Sequence, residues 1–322
     1  MRMSRYILKR LLWMIPVLLG VVTITFILNQ MMPGDPARQL VGETATEEVY
    51  QAMREELGLN KPLLEQYGDY LWGLVSRGDL GTSYVTKQPV LDEILARMPT
   101  TMILAGLSVV FSVTLGVILG VLAATWQNSI IDYFSTFLSL IGVSMPNFWQ
   151  GLMNIIIFAI ALGWFPVSGF YGPRYWVLPV LTVGTSSMAT ITRTTRSSML
   201  EVIRTDYIRT ARAKGQTEFK VIVGHALKNA LLPIITVAGL QFGGLLGGAV
   251  LTESVFAIPG VGKFMLDAIS QRNYPVIMGG VLLLAAIYSV VNLVVDVIYS
   301  YADPRIKSQY QVRRRAVKGG VQ

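Results

Sequence analysis

The chain has 322 residues, 52% of them hydrophobic and 14% charged, where an ordinary soluble domain has about a quarter charged. That balance excludes a conventional water-soluble fold and makes a lipid bilayer the expected solvent. The absence of cysteine removes disulfides and thiolate metal sites from consideration, and the formal net charge of +8 has to be explained by where the charges sit.

A bilayer span needs about 20 mostly apolar residues. Six runs meet that length, at about 11–32, 99–124, 133–164, 177–203, 230–252 and 277–300. The first, LLWMIPVLLGVVTITFIL behind the basic MRMSRYILKR, has the layout of a secretory signal. It is longer than the usual signal core and no small-x-small site follows, so a retained helix over residues 1–32 is expected.

Between the first two runs lies the largest polar segment, 33–98. TATEEVYQAMREELGL predicts a helix with Thr44 or Thr46 as N-cap, Glu47 and Glu48 in its first turn and Gly58 past its end. KPLLEQYGDYLWGLVSRG predicts a second helix with Pro62 in its first turn, GDLGTSYVTKQP a loop, and VLDEILARMP a third short helix. Such a segment buries little core alone, so it is expected to rest on the membrane helices. Its sharper use is as a docking surface for an extracytoplasmic partner.

The core, 99–303, carries packing signatures. Ser108, Ser112, Gly116 and Gly120 recur every four residues in the second run. Gly239, Gly243 and Gly247 do so in the fifth, with Gly244 and Gly248 beside them. Both predict strips where another helix approaches closely. The third run is too long for one straight crossing and is interrupted at GVSMPNFWQG. Proline removes a backbone donor there, and broken backbone at membrane depth is tolerated where it lines protein or a passage. Pro146 and Asn147, with Gln241 and Asn292, are therefore candidates for a translocation pathway. Asp296 shares a face with Asn292 but lies near the helix end, which favours a satisfied structural role.

Catalytic chemistry is sparse. The single histidine, His225, permits neither a zinc-binding HExxH pair nor a histidine cluster. IPGVGKF, Ile258 to Phe264, is not a phosphate loop, because Ala257 stands where the first glycine belongs and Phe264 where Ser or Thr belongs. Its glycines are expected to shape a tight turn between the fifth and sixth helices. No catalytic residue and no metal ligand is assigned.

Placing the N-terminus in the cytoplasm and alternating sides puts 18 of the 27 Lys and Arg inside, four before the first run, eight between 193 and 228 and six in a basic tail at 304–322. Only 6 of the 19 Asp and Glu fall there. The positive-inside rule supports this orientation, and it accounts for the net charge without nucleic acid. The polar stretch 204–228 is then cytoplasmic. Its Ala, Arg and Lys favour helix, Gly215 is a natural stop, and FKVIVGHALKN resumes a helix toward the fifth run. A basic loop on anionic lipid needs only charge. Alanines set between the charges instead suit a helix that sits in another protein's groove.

TRSSMLEVIRTDYIRTARAKG followed by HALKNALLP resembles the inner-membrane permease subunit of ABC importers of the dipeptide and oligopeptide type. PGDP, ELGLNKPLLEQYGDYLWGLVSRGDLGTSY and LTESVFAIPGVGKFMLDAISQRNYPVIMGGVLL match the first-permease subunit in order. The resemblance implies an all-α, six-span type I importer fold with a helical extracytoplasmic segment. It implies that Arg209, Thr210, Ala211, Arg212, Ala213, Lys214 and Gly215 occupy the EAAxxxG coupling motif. Arg209 replaces its glutamate, and Lys228 stands where a proline is common. The implied partners are a second homologous permease, two ATP-binding subunits that hold the ATP and magnesium, a substrate-binding protein and membrane lipid. Nickel chelates or glutathione are alternative cargoes. A self-sufficient secondary transporter is the rival class, and it would need paired intramembrane ions or repeats with broken helices.

Overall fold

A computed structural model of the chain describes residues 3–302; the basic tail expected at 304–322 lies outside them. The described residues form twelve helical elements with a single isolated β-bridge, Thr82 to Pro89. These are α1 (Met3–Met31), α2 (Pro36–Val41), α3 (Glu47–Glu56), α4 (Leu63–Arg77), α5 (Val90–Thr125) and α6 (Ile130–Ser144). Next come α7 (Asn147–Asn154, continued by a π-helical stretch Ile155–Ala161), α8 (Pro173–Ile203) and α9 (Asp206–Ala213). The last are α10 (Lys228–Val255, entered through a π-helical stretch Lys220–Leu227), α11 (Val261–Ser270) and α12 (Tyr274–Ala302).

Four of these are long and apolar enough to cross a membrane, and α6 with α7 forms a fifth candidate broken by a 109° bend. The interruption at Pro146 is therefore a sharp reversal of direction, well beyond a proline kink. The expected fourth span, α8, has the length but is too polar for the same criterion. Its threonines explain how it is nevertheless buried. The hydroxyls of Thr182, Thr185, Thr190, Thr192 and Thr194 each bond the carbonyl four residues back. The helix thereby satisfies five of its own hydroxyls and can sit in a dry environment, although the Thr195 hydroxyl is buried without a partner among the described residues.

The chain divides into two compact units, and α1, α5 and α12 contribute to both. The first is built from Met102–Ala257 with the chain up to Arg10 and from Val290. In it α8 packs against α6, α7 and α10. The small-residue strip of α5 meets α8 directly: a Cβ on Gly116 would lie 2.8 Å from Ile191 Cγ2, and one on Gly120 2.5 Å from Thr195 Cβ. Ser112 Oγ lies 2.7 Å from the Gly184 carbonyl. In α10 Gly239 of the expected strip lies against Val295 of α12, whereas Gly244 and Gly247 have nothing within 4 Å among the described residues.

The second unit is Leu11–Thr101 with Ile258–Ser289. Its core joins Val22, Leu80, Val90 and Ile94 to Val261, Met265 and Ile277. VLDEILARMP is not a separate helix, because the chain continues from Val90 through Pro99 into the membrane run. Val90 and Ile94, both fully buried, hold these first turns in line and outweigh the bond that Pro99 cannot make. PGDP, unassigned in the sequence, starts α2, with Asp35 Oδ1 accepting from the Ala37 amide at 2.8 Å and Pro36 in the first turn. Thr46 is the N-cap residue of α3 but makes no side-chain cap bond. The expected tight turn at IPGVGKF is instead the entry to a helix, α11. Gly260 has an ordinary φ of −96°, the Val261 amide donates to Thr101 Oγ1 at 2.9 Å, and the left-handed residue is Ala257, φ 52°.

Candidate functional site

The polar stretch 204–228 folds as two helices meeting at a glycine. Thr205 is the N-cap residue of α9, and Gly215 turns the chain at φ 73°, a value that glycine adopts without steric cost. The two faces of α9 differ. Ile208 and Ala211 are buried in a cluster with Met199, Val221, Ile222 and Ala226. Arg209, Thr210, Arg212, Ala213, Lys214 and Gly215 are exposed. Ala211 therefore belongs to the support behind the surface, and the six others to the surface itself.

The turn is braced from both sides. Arg212 donates twice to Glu218 across Gly215, Nη2 to Oε1 at 2.7 Å and Nε to Oε2 at 3.1 Å. These bonds hold the Glu218 carboxyl below the usual carboxylate range and push the Arg212 guanidinium up. His225 Nε2 lies 2.6 Å from Gln216 Oε1, which gives the lone histidine a structural partner. Two exposed aromatics flank the cations, Tyr207 at 46% and Phe219 at 77% exposure. Sequence reasoning missed both, although an aromatic inside a polar, basic stretch is a legible sign of a contact surface.

Behind this surface an ion pair ties two helices of the first unit. Arg196 of α8 donates to both oxygens of Asp132 at the start of α6, at 2.6 and 2.7 Å, and Asp132 is 3% exposed. Because Asn128 N also donates to Asp132 at 3.0 Å, the carboxylate is well satisfied.

The pathway candidates fall in separate places. Pro146 and Asn147 stand at the α6–α7 reversal, Pro146 exposed and Asn147 half-buried. Gln150 and Asn154 continue the face of Asn147, and neither was singled out from the sequence. Asn154 Nδ2 donates to Thr182 Oγ1 of α8 at 2.9 Å, while Gln150 Oε1 is buried without a partner among the described residues. Gln241 is half-buried on α10. Asn292 lines a cavity of about 350 Å³ with Arg10, Thr236, Leu240, Val295 and Asp296. Asp296 is paired there with Arg10, a partner that the sequence alone did not name.

Residues 116–308 match the family of binding-protein-dependent transport system inner membrane components, and residues 3–105 match that system's N-terminal membrane component. The chain is 45% identical to the dipeptide transport system permease protein DppB of Alkalihalophilus pseudofirmus, over 95% of this chain and 100% of that one. It is 42% identical to DppB of Escherichia coli, over 95% and 99%. It is also 42% identical to the glutathione transport system permease protein GsiC of Escherichia coli, again over 95% and 99%. Among solved structures, an inward-facing MetNI methionine ABC transporter chain aligns with a TM-score of 0.53 at 19% identity, covering 66% of this chain and 97% of that one, a likeness of fold.

Proposed function

Because the chain belongs to the binding-protein-dependent transport system inner membrane component family, we propose that it forms half of an importer's pore for dipeptides or oligopeptides. A second, homologous permease completes the pore, two ATP-binding subunits drive it from the cytoplasm, and a binding protein delivers cargo from outside. The sixth span in this reading is α8, shielded by its neighbours. The chain itself performs no hydrolysis; ATP and magnesium are held by the partner subunits.

The observation that carries the coupling role is the two-sidedness of α9. Its exposed residues form a cationic, aromatic-flanked surface on a braced turn, and Ile208 and Ala211 key the same helix into the packed core. Closure of the ATP-binding subunits pushes on Tyr207, Arg209, Arg212 and Phe219. Ile208 and Ala211 pass the displacement to Met199 of α8 and Val221 at the entry of α10. The Asp132–Arg196 pair makes α6 move with α8. Access then alternates by rigid-body movement, with no bond made or broken in this chain.

The test uses the complete importer in proteoliposomes, reading peptide uptake and ATP hydrolysis together. Gly215→Val strains the left-handed turn, and Arg209→Glu reverses the charge of the exposed face. Both are expected to insert normally and to lower uptake at least tenfold relative to ATP hydrolysed; normal uptake by both rejects the coupling assignment. Orientation is checked on a chain that has no native cysteine. Lys228→Cys should label with an impermeant maleimide only from the cytoplasmic side, and Lys87→Cys only from the outer side. Glutathione is the second cargo to assay, because a relative of equal coverage carries that name.

A further inference from the structure

The cavity of about 350 Å³ lies wholly within the first unit, between Arg10 of α1, Thr236 and Leu240 of α10, and Asn292, Val295 and Asp296 of α12. Residues four apart on a helix are neighbours on one face. Asn292 and Asp296 therefore stand side by side on one wall, and Thr236 and Leu240 on another. Arg10 Nη2 donates to Asp296 Oδ2, which brings the guanidinium to the same place. A cation, a carboxylate and an amide are thus within reach of one small ligand.

These groups are open to such a ligand. The Arg10 side chain is 50% exposed and that of Asp296 29%. Asp296 Oδ1 and the Asn292 amide make no hydrogen bond among the described residues. The Thr236 hydroxyl donates to the Leu232 carbonyl at 3.0 Å and keeps its lone pairs for a donor. A guanidinium carries five N–H donors in a fixed fork, and Asp296 takes the Nη2 end. Ionised groups on an apolar membrane helix mark a partner or a pathway, and Arg10 alone does not use the second carboxylate oxygen.

Charge decides what fits. The ion pair is neutral as a whole, so a lone cation is repelled by Arg10 and a lone anion by Asp296. A zwitterion sets each of its charges against the opposite one. Three oxygens, Asp296 Oδ1, Asn292 Oδ1 and Thr236 Oγ1, match the three N–H donors of a primary ammonium, whereas a quaternary ammonium has none to give. We propose that this cavity binds a zwitterion, its primary ammonium on Asp296, Asn292 and Thr236 and its anionic group on Arg10. Two sources carry that chemistry, the headgroup of an aminophospholipid and the free termini of a dipeptide. The first suits the depth, because Asp296 stands six residues before α12 ends at Ala302, roughly 9 Å by helical rise. Leu240, 51% exposed, offers apolar surface beside it. The second rests on the importer reading above; the binding of a zwitterion does not.

The test reads the cavity itself. Leu240→Cys puts a thiol on its wall in a chain that has no other. Its alkylation by N-ethylmaleimide is timed by mass in the delipidated complex of permeases and ATP-binding subunits, with nucleotide and binding protein withheld. Dihexanoyl phosphatidylethanolamine or dialanine is expected to slow the alkylation several-fold, and whichever protects identifies the source. Dihexanoyl phosphatidylcholine and N-acetyl-dialanine lack the primary ammonium and should need about tenfold more for the same protection. In the Leu240→Cys background, Asn292→Ala deletes one acceptor and should weaken protection about tenfold. Arg10→Met with Asp296→Met removes both charges, leaves neither unpaired, and should abolish protection. A dipeptide bound elsewhere in the complex protects these variants as well as their parent, and that result overturns the proposal. So does equal protection by the analogues, or protection by neither zwitterion. Uptake is not part of this readout, so such a failure leaves the permease reading standing.

Discussion

Two polar interruptions break this apolar chain, and they satisfy their charges in opposite ways. Segment 33–98 turns its charges onto itself. Asp35 caps α2 while accepting from Tyr50 at 2.9 Å and pairing with Arg54, Arg38 stacks 4.0 Å over the Tyr50 ring, and Lys87 reaches Glu56 at 2.8 Å. Segment 204–228 spends one bidentate pair on bracing Gly215 and leaves Tyr207, Arg209 and Phe219 exposed. A closed network stabilises its own chain, whereas exposed aromatics beside cations are what the proposed docking of the ATP-binding subunits requires. The contrast lies in the charges alone, since 33–98 also exposes an aromatic, Trp72, at 71%.

Breaking the closed network should produce the largest loss of stability. Asp35→Ala removes the cap of α2 and one partner each of Tyr50 and Arg54, which keep their bond to one another, so it should destabilise the segment by about 1–2 kcal/mol. Faster hydrogen exchange across residues 36–60 with exchange near 204–228 unchanged is the expected result, and uniform exchange would erase the contrast. On the open surface the opposite pattern is expected. Phe219→Ala should leave thermal stability unchanged and reduce uptake several-fold, checked by a melting curve beside transport in proteoliposomes.

The smallest effect belongs to the brace. Glu218→Gln should cost under about 1 kcal/mol, because both partners are more than a third exposed and solvent screens the pair. The folded carboxyl titrates below its unfolded value. Its contribution is therefore present above the unfolded pKa and lost as pH falls through the folded one. A difference between wild type and variant at neutral pH that vanishes in acid is the expected profile; a difference growing in acid reverses the sign.

The candidate site was legible in part. The helix–glycine–helix layout of 204–228 followed from propensity and from the left-handed preference of glycine, both local properties. That Ala211 points inward while Thr210 points outward was not legible, because helical phase depends on which side Met199 and Val221 approach. The close approach of α5 could be read from its four-residue spacing, and Gly116 and Gly120 do meet α8. The same spacing in α10 left the destination open, since a small-residue strip says that something comes close and not what.

Composition and the length of the apolar runs determined by themselves that this is a helical membrane chain, and the asymmetry of Lys and Arg predicts its orientation. These readings need no long-range contact, because bilayer thickness and the cost of burying charge act on each segment separately. Tertiary structure alone decided that the chain reverses by 109° at Pro146, that Pro99 stays inside a continuous helix, and that a threonine-rich helix lies at the centre of the first unit. Each of these depends on packing against residues distant in sequence, where buried neighbours and self-satisfied hydroxyls outweigh the local preference.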